Sequence, residues 1–347
     1  MKRATGALVV AAIVAAGAAA TASGSSSSAA GLAYASGGTT GLPSVWVASA
    51  SGANAHKVGT GGFPVLSPNG KLVVAEGFGP HGPAFTIYSA TGGAAHRFGD
   101  INHYGGGPFA WSPDSRYVAV GLLDTTATRK VGNSGVEIVD TQTWTATKVA
   151  SGVVQGVSAA PSAPDRFVYG LSSSQAIPST TNLFAVTPGA APARLTTNGR
   201  SYFPVWGARG IAFDSVQYVR NKAPAYSISL LNNGRVTSIT QMKVNLLQDG
   251  PQPVAVSANG RYLVANFLGE DTMNAVTVDL VTHKTHMLLV KGVPPTGWGI
   301  SGDGRRVLID VGGFENPPQD GTVESIPFAG GKATVLHKHG DEPNWAQ

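Results

Sequence analysis

The sequence predicts an all-β chain folded as a seven-bladed β-propeller of four-stranded blades, and three observations carry that prediction. A tight-turn sequence framed by short apolar runs recurs every 44 to 50 residues. A second kind of turn recurs at the same period but appears once more often. Beyond the first residues no stretch sustains a helical period with caps.

The first turn occurs as Ser67-Pro68-Asn69-Gly70, Ser112-Pro113-Asp114-Ser115, Ser162-Ala163-Pro164-Asp165, Ser257-Ala258-Asn259-Gly260 and Ser301-Gly302-Asp303-Gly304, with a degenerate copy at Gly207-Ala208-Arg209-Gly210. Before it comes a short apolar run with Pro and often Trp, as in Pro108-Phe109-Ala110-Trp111 and Phe203-Pro204-Val205-Trp206. After it comes a β-rich run, as in Leu72-Val73-Val74-Ala75, Tyr117-Val118-Ala119-Val120 and Tyr262-Leu263-Val264-Ala265. Strand, turn, strand at a period in the forties is the length that a four-stranded blade needs.

The second turn follows a later strand, at Ala50-Ser51-Gly52, Thr91-Gly92-Gly93, Asp140-Thr141-Gln142, Pro188-Gly189, Asn232-Asn233-Gly234, Asp279-Leu280-Val281 and Gly330-Gly331. Six turns of the first kind taken alone would give six blades. Seven of the second kind fit a ring in which one blade is shared by the two ends of the repeat region. Glu342 to Gln347 reads as the innermost strand of that blade, Gly31 to Ala35 as its second strand, Ser44 to Val47 as its third and His56 to Val58 as its fourth. Closing a ring in this way removes the open sheet edges that invite aggregation.

Composition agrees. The 347 residues include 46 Gly and 22 Pro, about a fifth of the chain; 42% are hydrophobic and only 12% are charged. The absence of cysteine excludes a disulfide scaffold, a thiolate metal site, a Cys nucleophile and a lipidated N-terminal Cys. Lys2 and Arg3 precede an uncharged run from Leu8 to Ala20, shorter than a membrane span, and Ala20-Thr21-Ala22 offers small residues where a signal peptidase cuts. The expected organisation is therefore a signal peptide over 1–22 and a single propeller domain over 23–347. Loss of Lys2 and Arg3 would reduce a formal charge of +5 by two, with no block of basic residues left, which argues against a nucleic-acid groove.

The run Pro108 to Val120 is similar to the repeat of the TolB-type, WD-repeat-like propellers, whose pattern is Pro, any residue, Trp-Ser-Pro-Asp-Gly and a short apolar strand. Pro64 to Ala75 is a good copy, the copies at Pro253 and Gly297 are fair, and those at 157 and 204 are degraded. The resemblance implies a secreted bacterial propeller without the additional α/β domain of the periplasmic TolB proteins. In that family the repeat residues build blades while the bound partner varies, so the likeness bears on fold more than on function.

In such a fold the turns after first and third strands lie on one face of the disc, and the longer connections after second and fourth strands lie on the other. Those longer connections include Gly77 to Pro83, Asp124 to Ser134, Ser151 to Gly156 and Gly312 to Gly321. Long loops on a rigid scaffold carry function, so contacts are expected on that face, around the mouth of the central channel. The candidate ligand-binding residues are those leading into innermost strands: His103 and Tyr104, Gln155, Arg200 and Tyr202, Asp249 and Gln252, and His339, Asp341 and Glu342, with Asp100 and His337 beside them.

Imidazoles and carboxylates together could hold a divalent ion, but their spacing matches no short metal motif, so no metal and no cofactor is assigned. Gly105-Gly106-Gly107 is followed by a strand and not by a helix, which removes the phosphate-cradle mechanism. Trp111, Trp206, Trp298 and Trp345 fall in innermost strands, where packing between blades is expected. Asp140 and Asp279 precede turns whose backbone N–H groups they can accept. No Gly-x-Ser-x-Gly elbow occurs. The expected function is a secreted, non-catalytic, monomeric propeller in the extracellular space or cell envelope, binding a protein, glycan or envelope partner through its long-loop face. The alternative is a secreted enzyme, a metal-assisted lyase or lactonase-like hydrolase, with its site at the channel mouth.

Overall fold

The structure, a computed structural model, describes residues 29–37, 42–79, 82–98, 104–124, 134–172, 180–217, 224–242, 248–269, 273–312 and 321–346. The expected signal peptide, His103, Asp100 and most tips of the long connections lie outside the described residues.

Twenty-eight strands form seven four-stranded antiparallel sheets, and no helix occurs among the described residues. Blade 1 has Gly62–Leu66 innermost and Ala95–Phe98 outermost. Blade 2 runs from Tyr104–Trp111 to Thr145–Ser151, blade 3 from Val153–Ala159 to Ala193–Arg194, and blade 4 from Ser201–Gly207 to Arg235–Met242. Blade 5 runs from Gln248–Val256 to Thr285–Met287, and blade 6 from Thr296–Ile300 to Thr334–Lys338. Blade 7 is shared: Asp341–Trp345 is innermost, followed by Leu32–Ser36, Ser44–Ala48 and His56–Thr60. Leu32 pairs with Trp345, as the seven-blade reading requires.

The recurring turn has a local cause. At Ser67 the backbone closes with Gly70 N–H on Ser67 C=O at 2.8 Å. The Ser67 hydroxyl donates to Asn69 Oδ1 at 2.9 Å and accepts Leu72 N–H at 3.0 Å, and Asn69 Oδ1 also accepts Lys71 N–H at 3.0 Å. The same four-bond knot recurs at Ser112 with Asp114, Ser257 with Asn259 and Ser301 with Asp303. Such Asx and Ser side chains stand in for a backbone turn. Arg116 and Arg261 in these turns then reach Asp140 and Asp279 at 2.7 and 2.8 Å, and each Asp also accepts the backbone N–H two residues ahead.

The core lies between blades. Val74, Phe85, Phe109, Trp111 and Val120 pack blade 1 on blade 2; Ala265, Val276, Ile300, Val307 and Ile309 lie in the clusters around blades 5 and 6. Trp111 also donates its indole N–H to Val65 C=O of blade 1 at 2.9 Å, which bears out the packing role expected for it.

Two expected loops are shorter than the sequence suggested. Leu72–Gly79 and Gly82–Ser89 pair as far as Gly79 with Gly82, so the Gly-rich segment is a hairpin end and not a long loop. Only Gly152, at φ 153°, separates Thr145–Ser151 from Val153–Ala159. Gly105 and Gly106 are themselves paired strand residues, opposite Leu123 and Leu122.

Candidate functional site

The innermost strand slips register near its start in every blade. The shift falls between Gly62 and Val65, Gly106 and Phe109, Val154 and Val157, Tyr202 and Val205, Gln248 and Pro251, Gly297 and Gly299, and opposite Ala33 and Ala35 in blade 7. A bulge of this kind re-aims one side chain out of the ladder. The residue re-aimed has left-handed backbone at Phe63 (φ 48°), Gly156 (φ 90°), Phe203 (φ 49°) and Glu342 (φ 49°). Phe63, Phe203 and Glu342 each precede a proline, which supplies no N–H to the broken ladder and disfavours helical backbone before it.

Glycine takes this conformation freely at 156, but for phenylalanine and glutamate it costs on the order of 1 kcal/mol each. What those side chains gain is position. Phe63 of blade 1 meets Trp298 of blade 6 with ring centroids 6.1 Å apart. Blade 7 lies between those two blades, so the rings meet at the axial edge of the ring of blades. Phe63 is 47% exposed.

Trp298 therefore differs from Trp111. It stands two positions earlier in its strand, at the bulge, and its indole N–H donates to Asp310 Oδ2 at 2.6 Å within its own blade. The sequence placed it with the packing tryptophans; the bulge turns it to the channel instead. Trp206 keeps the packing role, with the Arg166 guanidinium of blade 3 lying 5.3 Å from its ring centroid.

Carboxyl groups complete the site. Glu342 N–H donates to Asp341 Oδ1 at 2.9 Å and reaches Asp310 Oδ2 at 3.4 Å. Glu342 Oε2 accepts Phe63 N–H at 2.5 Å. Burial pushes the Glu342 carboxyl up to about 7; Asp341 and Glu76 add to the rise, and the Phe63 N–H opposes it. Asp310 is 2% exposed. Its burial, and the Asp341 carboxyl hydrogen-bonded to it, hold its carboxyl well above the usual carboxylate range, against the Trp298 N–H.

Of the residues expected from the sequence, the structure brings Asp341 and Glu342 together. Tyr104 begins the innermost strand of blade 2, opposite Asp124. Gln155 is half-buried in blade 3, and Gln252 is half-buried opposite Asn266 in blade 5. Asp249 lies in that same strand. Arg200 is exposed, its N–H on Asn198 Oδ1 at 3.1 Å. Tyr202 is buried, its ring 6.5 Å from that of Phe203. His339 is exposed, with its carbonyl accepting the Ser36 hydroxyl at 2.5 Å.

The His337 ring lies 4.4 Å from that of Tyr34, tilted by 32°. Among the described residues no group of three or more His, Asp or Glu side chains is arranged to hold a metal ion. Phe63, Trp298, Asp310 and Glu76 were missed as site residues. The readable signal was the common register of Phe63-Pro64, Phe203-Pro204 and Glu342-Pro343, aligned blade by blade.

No protein-family profile and no curated protein matches the chain. Solved structures do. TolB from Acinetobacter baumannii is 16% identical at a TM-score of 0.51, over 91% of this chain and 66% of its own. The β-propeller domain of the Trilobed protease from Pyrococcus furiosus is 10% identical at 0.58, over 86% and 88%. An oligogalacturonate lyase in complex with manganese is 10% identical at 0.51, over 78% and 80%. The chain thus spans just under two thirds of the TolB that it matches. These likenesses show a TolB-type propeller fold. No helix among the described residues is long and apolar enough to cross a membrane.

Proposed function

We propose that the protein is a non-catalytic binding module that takes a protein partner at the mouth of its channel, and that the recognised group is cationic: a Lys or Arg side chain on an extended segment. One observation carries this reading. Phe63 and Trp298, from blades 1 and 6, form an aromatic pair with Phe63 47% exposed, and Glu342 bonds the backbone of Phe63 beside it. Aromatic faces next to a carboxylate attract ammonium and guanidinium groups, and a carboxylate so buried gains more from a cation than one in water does. The bulges raise these side chains near the starts of their innermost strands, and contacts on the long-loop face are part of this proposal. Export behind the leader at 1–22, action in the extracellular space or envelope, and a monomeric state belong to the same proposal, as do contacts from Tyr104, Gln155, Arg200, Asp249, Gln252 and the His103 and His339 connections.

The test is selection of a random displayed-peptide library on the purified protein, followed by calorimetry of the winners against Phe63→Ser and Glu342→Gln. Enriched Lys or Arg, with binding lost in both variants, supports the reading. Winners without cationic residues, or winners that bind the variants unchanged, overturn it; preferential retention of an oligosaccharide array would instead favour a glycan on the same aromatic pair.

A second reading rests on Glu342 alone. A half-buried carboxyl whose pKa is raised to about 7 has the property required of a general acid–base group. Turnover of an acidic oligosaccharide or a lactone that disappears in Glu342→Gln would move the protein into the enzyme class.

A further inference from the structure

The outer edge of blade 5 differs from the rest of the rim. Of the eight large apolar side chains that stand exposed among the described residues, four fall within 281–293: Val281, Met287, Leu289 and Val293. Blades 4 and 6 expose one each on their outermost strands, Val236 and Val335. Met287 is 57% and Leu289 50% exposed, whereas Leu288 and Val290 are buried in the cluster that holds Ile300, Val307 and Ile309 of blade 6. That alternation is an extended strand with one face on the core and the other bare.

The backbone of this edge is open as well. Asp279 N–H donates to Lys284 C=O at 2.9 Å, and Leu288 N–H donates to Ala275 C=O at 2.9 Å. These bonds set the alternation of the antiparallel ladder. Lys284, His286 and Leu288 turn their N–H and C=O groups inward, and Thr285 and Met287, opposite Val278 and Val276, turn theirs outward. Thr285–Met287 ends its sheet, with no strand beside it among the described residues. Outward backbone groups beside bare apolar side chains make a template for another strand.

Charge narrows the partner. From 280 to 302 the chain has no Asp or Glu, and His283, Lys284, His286 and Lys291 are all exposed. The outermost strands on either side, Arg235–Met242 and Thr334–Lys338, contain no acidic residue either. Two carboxylates from third strands are already matched, Asp279 by Arg261 and Glu324 by Lys291. A second copy of this edge would set like charges opposite each other, which disfavours self-pairing. A bilayer is disfavoured for a different reason: sinking Met287 and Leu289 into hydrocarbon would carry the outward N–H and C=O groups with them, unpaired. An extended acidic segment satisfies both the charge and the backbone.

We infer that the outer edge of blade 5 takes a protein ligand by strand addition. The ligand is an extended segment whose backbone pairs with Thr285 and Met287. Its apolar residues pack on Met287 and Leu289, and they alternate with Asp or Glu facing Lys284 and His286 on the other side of the strand. This edge lies on the rim, so it stands independently of what binds at the channel mouth.

Selection of displayed random peptides on the Phe63→Ser protein tests this, because that bait lacks the aromatic pair at the mouth. Should that variant fail to fold, selection on the parent with counter-selection on Thr285→Pro serves the same end. Winners should alternate apolar and acidic residues, and calorimetry should show their affinity falling about tenfold or more with Lys284→Glu and with Thr285→Pro. Proline at 285 removes one outward N–H and spares the inward ladder, the side on which edge strands accept it. Residue-resolved hydrogen exchange on the unaltered protein needs no variant. Bound peptide should slow the Thr285 and Met287 amides about tenfold or more and leave the Leu288 amide, already bonded to Ala275, unchanged. No winners, winners without acidic residues, unchanged affinity in the folded variants, or no slowing at Thr285 and Met287 overturns the inference. So does retention on phosphatidylglycerol vesicles that Met287→Ser abolishes, which would assign the edge to a membrane. A dimer in sedimentation that the same substitution dissociates would assign it to a second copy and equally overturn it.

Discussion

Glu342→Gln should make the protein more stable at pH 8, and by much less at pH 5. In the fold the Glu342 carboxyl titrates at about 7, against 4.5 in an unperturbed chain. A folded pKa above the unfolded one means that the native state binds the proton more tightly. The associated stability is therefore complete below pH 4.5 and is lost as pH rises through 7. At 1.36 kcal/mol for each pH unit, the loss across that window is about 3 kcal/mol. Glutamine keeps an oxygen for the Phe63 N–H and loses nothing to ionisation, so its stability curve lacks this descent. Urea unfolding at half-unit steps from pH 5 to 8.5 measures it, provided the m-value is the same in both proteins. Every other titrating group is common to the two proteins, so the difference between their curves reports Glu342 together with its coupling to Asp341 and Glu76. Parallel curves, or a variant less stable than the parent at pH 8, would refute the reasoning, because either would mean that Glu342 is ionised at no cost in the fold.

Tyr34→Phe should raise the thermal midpoint by a degree or two, since the Tyr34 hydroxyl is wholly buried with no hydrogen-bond partner among the described residues and burial pushes it up to about 12; a drop would reveal a bond to that oxygen. Trp111→Phe removes the 2.9 Å bond to Val65 and leaves that part-buried carbonyl without the indole donor, so a loss of about 1–3 kcal/mol in denaturant unfolding is expected. Asp279→Asn should destabilise at neutral pH, because Arg261 and two backbone N–H groups hold the Asp279 carboxyl far below its ordinary range. A depressed folded pKa gives stability above pH 3.8 that fades as pH falls, so parent and variant should converge in acid.

The repeat was legible because its causes are local. Ser67 and Asn69 make their own turn with bonds spanning five residues or fewer, and so do Ser112 and Asp114, so spacing alone located the blades. Shared closure followed from counting turns. The site was legible only in part, because its causes are not local. Asp341 and Glu342 were singled out as residues leading into an innermost strand, yet Asp310 reads as the polar end of an apolar strand until ring closure sets it against them. Trp298 was misassigned by two positions, since a bulge shifts which side chain faces the axis without altering the sequence pattern around it. The channel pairing of Phe63 with Trp298 joins residues from non-adjacent blades, and no single repeat contains that information.

The strained backbone at the mouth gives a last argument about which residues serve folding and which serve recognition. Gly156 shows that the bulge position accepts glycine, which holds φ 90° at no steric cost. Phe63 holds φ 48° with a side chain that pays about 1 kcal/mol for it. Its ring is 47% exposed, so only about half of the 1.5–3 kcal/mol that a fully buried aromatic ring supplies is recovered in packing. These two effects nearly cancel, and Phe63→Gly should unfold within about 1 kcal/mol of the parent in urea while losing the peptides selected on the parent. A loss of several kcal/mol would place the ring among the residues that hold blades together. Near-neutral stability with lost binding would show that a strained phenylalanine is kept at this bulge for what it touches in the channel.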